Sequence, residues 1–119
     1  MKAHFLGHVV FYVEDIDNSL KFYHELIGFN IVGSFKKPFY AVALSSGRTH
    51  HELLLIEVGS APKPPTGHRL GLYHIGIKVG DSLEELTDVK RELTDLGISI
   101  SGMSDHTVSQ SIYILDPDG

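Results

Sequence analysis

The sequence contains no cysteine. That one absence excludes disulfides, thiolate metal sites and a cysteine nucleophile together, and a reducing cytoplasm is the expected setting. No apolar run approaches the roughly 20 residues that would span a bilayer as a helix. Glu14, Asp15 and Asp17 interrupt the short apolar stretch after Lys2, so the N-terminus does not read as a signal peptide. No basic block is present either: the formal net charge is -5, and Lys36-Lys37 is too small a patch to matter. Nucleic acid is therefore not the expected partner. No Gly-rich phosphate loop follows a strand, and no GxSxG elbow occurs. What remains is a chain of 119 residues, 42% hydrophobic and 21% charged, long enough for a single compact domain. Its unusual feature is eight histidines without a cysteine, which directs attention to imidazole chemistry.

The chain repeats itself. Residues 7–15 read GHVVFYVED and residues 73–81 read YHIGIKVGD, each with a histidine second and an aspartate last. Alternation puts Val9, Phe11 and Val13 on one face of the first strand and His8, Val10 and Tyr12 on the other. Leu20, Tyr23, Leu26 and Ile27 then recur at helical spacing over 16–27, with Asp15 as N-cap and Gly28 closing the helix. Three β-rich stretches follow, at about 29–35, 39–45 and 51–58. The second copy predicts a strand over 72–79 with Ile75, Ile77 and Val79 opposite His74. A capping box of Ser82 and Glu85 opens its helix, and an apolar stripe of Leu86, Val89, Leu93 and Leu96 ends at Gly97. Strands near 98–101 and 110–115 complete it. The segment GSAPKPPTGHRLG, 59–71, reads as the linker.

The expectation is an α+β fold of two tandem βαβββ modules, about 4–58 and 72–119, within one domain spanning 1–119. The second module lacks its last strand. The closing Asp116-Pro117-Asp118-Gly119 is a turn signal, so a further strand is expected beyond Gly119.

In each copy the apolar strand face is the natural floor for the helix, which leaves His8 and His74 on the opposite face. If the modules pack about a pseudo-two-fold axis, both imidazoles converge in one groove. Two neutral imidazoles suit a divalent transition metal, and a carboxylate would complete a facial triad with open positions. The run Thr49-His50-His51-Glu52-Leu53-Leu54-Leu55-Ile56-Glu57 adds a histidine pair, one of which faces the groove if the strand is central. His106 and Tyr113 form a further cluster, although a loop histidine taken alone is usually just solvated. His4, His24 and His68 have no partner by spacing and read as surface residues.

GHVVFYVEDIDNSLKFYHELIGF, LYHIGIKV and SIYILDPDG together resemble the vicinal oxygen chelate superfamily, which includes glyoxalase I, extradiol dioxygenases and the fosfomycin- and bleomycin-resistance proteins. The resemblance runs from about His4 to Gly119. It implies paired βαβββ modules whose cup-shaped mixed sheet surrounds a metal, and it is nearest to small catechol 2,3-dioxygenase-type members. On that likeness His8 and His74 fall on the metal-ligand positions, and a third, carboxylate ligand is expected beyond Gly119. His51 falls on the acid/base position, with His50 less favoured by face, while His106 and Tyr113 fall on substrate- and oxygen-facing positions. The implied reaction is extradiol cleavage of a catechol-type aromatic with Fe(II) and dioxygen. The resemblance leaves two alternatives open. One is a glyoxalase- or epimerase-type enzyme acting through an enediolate with Mn, Ni, Co or Zn, in which Glu57 serves as ligand. The other is a metal-free drug- or metabolite-binding protein. A homodimer is implied as well.

Overall fold

The computed structural model describes residues 1–106 and 109–119, the side chain of His106 excepted. The fold is α+β, and the chain divides into two compact units, Met1–Pro64 with Asp116–Gly119, and Pro65–Leu115. The division falls inside the expected linker. The terminal turn, however, joins the first unit and not the second module. Tyr23 Oη donates to Asp116 Oδ2, and the Glu14 amide donates to Asp118 Oδ2. Among the described residues no helix is long and apolar enough to cross a membrane.

In the first unit, strand β1 (Val9–Val13) leads into helix α1 (Ile16–Leu20), which continues as a π-helical stretch, Lys21–Leu26. Strands β2 (Asn30–Phe35), β3 (Ala41–Ser45) and β4 (Leu53–Glu57) follow. The sheet runs β1-β4-β3-β2, with β1 and β4 parallel and the other pairs antiparallel. Asp15 caps α1 by accepting from the Asn18 amide at 2.8 Å. Gly28, at a φ of 96° that costs a side-chain-bearing residue dearly, ends the helical run.

Register explains the core. Val42, Leu44, Leu53, Leu55 and Val13 project to the face covered by Ile16 and Tyr23, and all are buried. Phe11 stacks on Tyr23 from the same face, ring centroids 5.9 Å apart. The opposite face of β1 carries Val10 and Tyr12, both exposed, as the alternation predicts.

In the second unit, helix α2 (Leu83–Asp95) begins at the anticipated capping box. Ser82 Oγ accepts from the Glu85 amide, and Glu85 returns the bond to the Ser82 backbone. Leu93 is buried on its apolar stripe, Leu86 and Val89 are half-buried, and Leu96 is exposed. Strands β5 (Ile100–His106) and β6 (Ser109–Ile114) pair antiparallel.

One expected strand is not formed. Among the described residues, 72–79 have no ladder partner, although Ile75 and Ile77 stay half-buried while Tyr73, His74 and Lys78 are exposed. The first unit shows the reason. There the equivalent strand, β1, is held by parallel bonds to β4, the fourth strand of its module. Among the described residues of the second copy, β5 and β6 follow the helix and pair with each other. A strand without a neighbour has no hydrogen bonds to define it.

Candidate functional site

Parallel strands begin at the same end of a sheet. β1 and β4 align Val9 with Leu53, so the residues entering the two strands lie side by side. His8 enters one and His51 the other, and their rings meet with centroids 4.8 Å apart at 37°. His50 packs on His51 in turn, centroids 4.4 Å apart, with the two Nδ1 atoms 2.5 Å from each other. At that separation one Nδ1 donates its proton to the other, which leaves His51 Nε2 as the ring nitrogen free for other work.

The environment also acts on the His51 charge. Loss of hydration comes first, then the neighbouring imidazoles of His50 and His8, and together they outweigh the Glu52 carboxylate and lower its pKa. An imidazole held neutral near physiological pH is suited to accept a proton.

The loop that delivers this pair is organised by Glu52, a residue that alternation alone does not single out. Its carboxylate accepts from the Ser46 amide and hydroxyl, each at 2.9 Å, and from the Thr49 amide at 3.2 Å. Partial burial would raise this carboxyl, but the bonds from Ser46, Ser45 and Thr49 prevail and hold it at about 2. The sequence signal for it is a lone acid following the Ser45-Ser46-Gly47 turn.

Glu57 is placed elsewhere. It closes β4 at the end away from His51, a strand length of about 20 Å. Its Oε2 accepts from the Ile16 amide at 3.0 Å, at the exposed N–H end of α1. In this arrangement its carboxylate serves the start of α1, and its role as a metal ligand stays an expectation.

The second unit gathers another pair. The His74 ring meets Tyr113 edge-on with centroids 5.3 Å apart, and it packs on Tyr73 at 4.8 Å. Tyr113 Oη lies 3.4 Å from Ser104 Oγ across the β5–β6 ladder. Residue 106 ends β5, and its side chain lies outside the described residues, so its expected role stays an expectation. His24, read as a surface residue, holds Phe29 O from Nδ1 at 2.6 Å. The expected residues therefore fall into one cluster per unit: His8 with His51 in the first, His74 with Tyr113 in the second.

Among the described residues, no three of His, Asp or Glu are grouped to hold a metal ion. The donor chemistry nonetheless suits one. Both His8 and His74 are exposed, and among the described residues neither ring makes a hydrogen bond that would occupy its nitrogens. Imidazoles are common ligands of first-row divalent ions.

Residues 5–119 match the family model of the Glyoxalase/Bleomycin resistance protein/Dioxygenase superfamily. The chain is 34% identical to a catechol-2,3-dioxygenase of Bacillus subtilis, covering 96% of this chain and 38% of that protein. It thus spans well under half the length of that relative. It is 30% identical to the virulence protein STM3117 of Salmonella typhimurium, covering 96% of this chain and 78% of the other. Among solved structures, lactoylglutathione lyase from Agrobacterium tumefaciens superposes with a TM-score of 0.72 at 25% identity, covering all of this chain and 90% of its own.

Proposed function

Because the chain belongs to the glyoxalase, bleomycin resistance protein and dioxygenase superfamily, we propose that it is an Fe(II)-dependent enzyme of extradiol ring cleavage. The substrate class is a catechol-type aromatic, and dioxygen is the co-substrate. The observation that carries this reading is the contact between His8 and His51, which sets a ligand-type imidazole beside an acid/base-type one. The likeness to a catechol-2,3-dioxygenase supports the choice of substrate class.

His8 and His74 would hold the ion through their imidazole nitrogens. When bound, Fe(II) supplies Lewis acidity toward the vicinal hydroxyls and the electrons that make dioxygen reactive. His51 Nε2 takes the proton of one substrate hydroxyl and returns it as the ring opens. In this role His51 Nδ1 carries the proton and donates it to His50 Nδ1, which leaves the Nε2 lone pair to act as base. Tyr113 donates a hydrogen bond from Oη to oxygen as negative charge develops on it, and His106 assists as a second donor. Both atoms of dioxygen enter the product, and the ring opens at the carbon–carbon bond next to the diol.

The test is anaerobic loading of the full chain with Fe(II), followed by catechol and then air. A visible absorbance from the ring-opened semialdehyde is expected. No absorbance from protein with confirmed iron would overturn the reading.

A second reading, an oxygen-independent enediolate reaction, is favoured by the likeness to lactoylglutathione lyase. It would show activity with nickel, cobalt or zinc under argon. Glu57, the ligand or base of that reading, would have to release the Ile16 amide to take that role.

A further inference from the structure

His8 and the His50–His51 pair stand outside the sheet. They precede β1 and β4, so no ladder hydrogen bond fixes them. Something else must hold their rings together, and the bonds around them converge on two residues.

Glu52 lies at the centre. Its side chain is only 12% exposed, so the three bonds it accepts from Ser46 and Thr49 compete little with water. Its backbone carbonyl accepts from the Val9 amide, next to His8, at 2.9 Å. Thr49, held by the Glu52 carboxylate, donates from Oγ1 to the His51 carbonyl at 2.8 Å. Arg48 grips the other flank of His8. Its Nη2 donates to Leu6 O at 3.1 Å, and its guanidinium lies 5.1 Å over the Phe5 ring. Its Nε stands 3.7 Å from Glu52 Oε1, closing the circuit.

An isolated ion pair with one partner half-exposed is worth little. Here its effect comes from geometry, because the Arg48 guanidinium reaches the chain before His8 and the Glu52 carboxylate orders the loop bearing His51, while the Glu52 backbone carbonyl takes the Val9 amide after His8. We propose that Arg48 and Glu52 are positioning residues, a brace that holds His8 against His51. The catalytic consequence rests on the function proposed above. The brace itself does not.

The experiment uses the full chain as Glu52→Gln, Arg48→Met and, as control, Asp15→Ala, which removes the α1 cap remote from the brace. The readouts are the ring-to-ring NOE between His8 and His51, the His74–Tyr113 NOE as an internal reference, and kcat and KM for catechol. In both brace variants the His8–His51 cross-peak is expected to vanish while the reference remains. kcat should fall by about tenfold or more, toward the ~10²-fold that a 1 Å misplacement costs, with KM little changed. The Asp15→Ala protein should melt earlier yet keep both cross-peaks.

A His8–His51 cross-peak retained in either brace variant overturns the proposal, and an unchanged kcat once the cross-peak is lost overturns its catalytic consequence. If Glu52→Gln does not fold, Arg48→Met, which leaves the loop's carboxylate bonds in place, decides alone. If the wild-type chain opens no ring, the extradiol reading fails, and the cross-peaks still decide whether the brace exists.

Discussion

Tyr23 Oη donates a 2.7 Å hydrogen bond to Asp116 Oδ2, joining the helical run after β1 to a turn 93 residues later. Lys63 strengthens the same junction, standing 3.9 Å from Asp118 and 3.7 Å from Glu14. Tyr23 is 4% exposed, so its hydroxyl has no alternative partner in water. Tyr23→Phe should therefore destabilise the protein by about 1.5–3 kcal/mol, the range for a hydrogen bond to a charged acceptor. Urea unfolding checks it, and an unchanged midpoint would show that the turn does not depend on this bond.

The same bond has an alkaline signature. Burial, and then the Asp116 hydrogen bond and the charges of Asp116 and Asp118, push the Tyr23 hydroxyl far above the ordinary tyrosine range. A group raised on folding stabilises the native state below its unfolded pKa, near 10, and that contribution is lost as pH climbs beyond it. Of the five tyrosines, Tyr23 should stay protonated until the chain unfolds. In an ultraviolet titration this appears as a late, cooperative step that is absent from Tyr23→Phe.

Glu52 has the opposite sign. Its carboxyl lies at about 2 when folded against an ordinary 4.5, so its contribution is complete above pH 4.5 and drains away as pH falls toward 2. Glu52→Gln should be less stable than wild type at pH 7, and the gap should close across that window. Thermal midpoints measured from pH 7 to 2 provide the check. A gap that stays constant with pH would mean that the carboxylate bonds contribute nothing.

Glu57 offers a structural control on the same strand. Its carboxylate accepts the Ile16 amide at the start of α1, where negative charge is favoured. Glu57→Gln should cost about 1 kcal/mol in unfolding experiments and leave Fe(II) affinity intact. A large loss of metal affinity would restore Glu57 as a ligand.

Much of this architecture is legible in the residues. Alternation over 9–13 sorted Phe11 and Val13 from Val10 and Tyr12, and Ser82 with Glu85 marked the start of α2, because those patterns are local. What pairs with what is not local. The parallel match of β1 to β4 decides that His51 meets His8, and no face count along 49–57 reveals it, since both residues lie outside their strands. The alternation that grouped Glu57 with His51 by face could not show that a strand's length separates them. Residues 72–79 differ for a related reason: the pattern of a strand is present, and among the described residues no strand pairs with it. Glu52 is marked only by its place after a Ser-Ser-Gly turn, because what it binds, the Ser46 and Thr49 amides and the Ser46 hydroxyl, lies in a loop that alternation does not describe.

The decisive chemical prediction separates the two imidazoles that touch. If His8 binds the ion and His51 moves the proton, their alanine variants should fail in different ways. His8→Ala should lose Fe(II) affinity, read by equilibrium dialysis, and His74→Ala should do the same. His51→Ala should keep its iron but lose about 10²–10⁴ in kcat for ring opening, the usual contribution of a positioned acid/base. Where a metal-free binding protein is the truth, His8→Ala combined with His74→Ala would leave affinity for an aromatic ligand unchanged. Should His51→Ala turn over catechol at the wild-type rate with iron bound, the contact between the two rings is packing alone, and proton transfer must be assigned to another group.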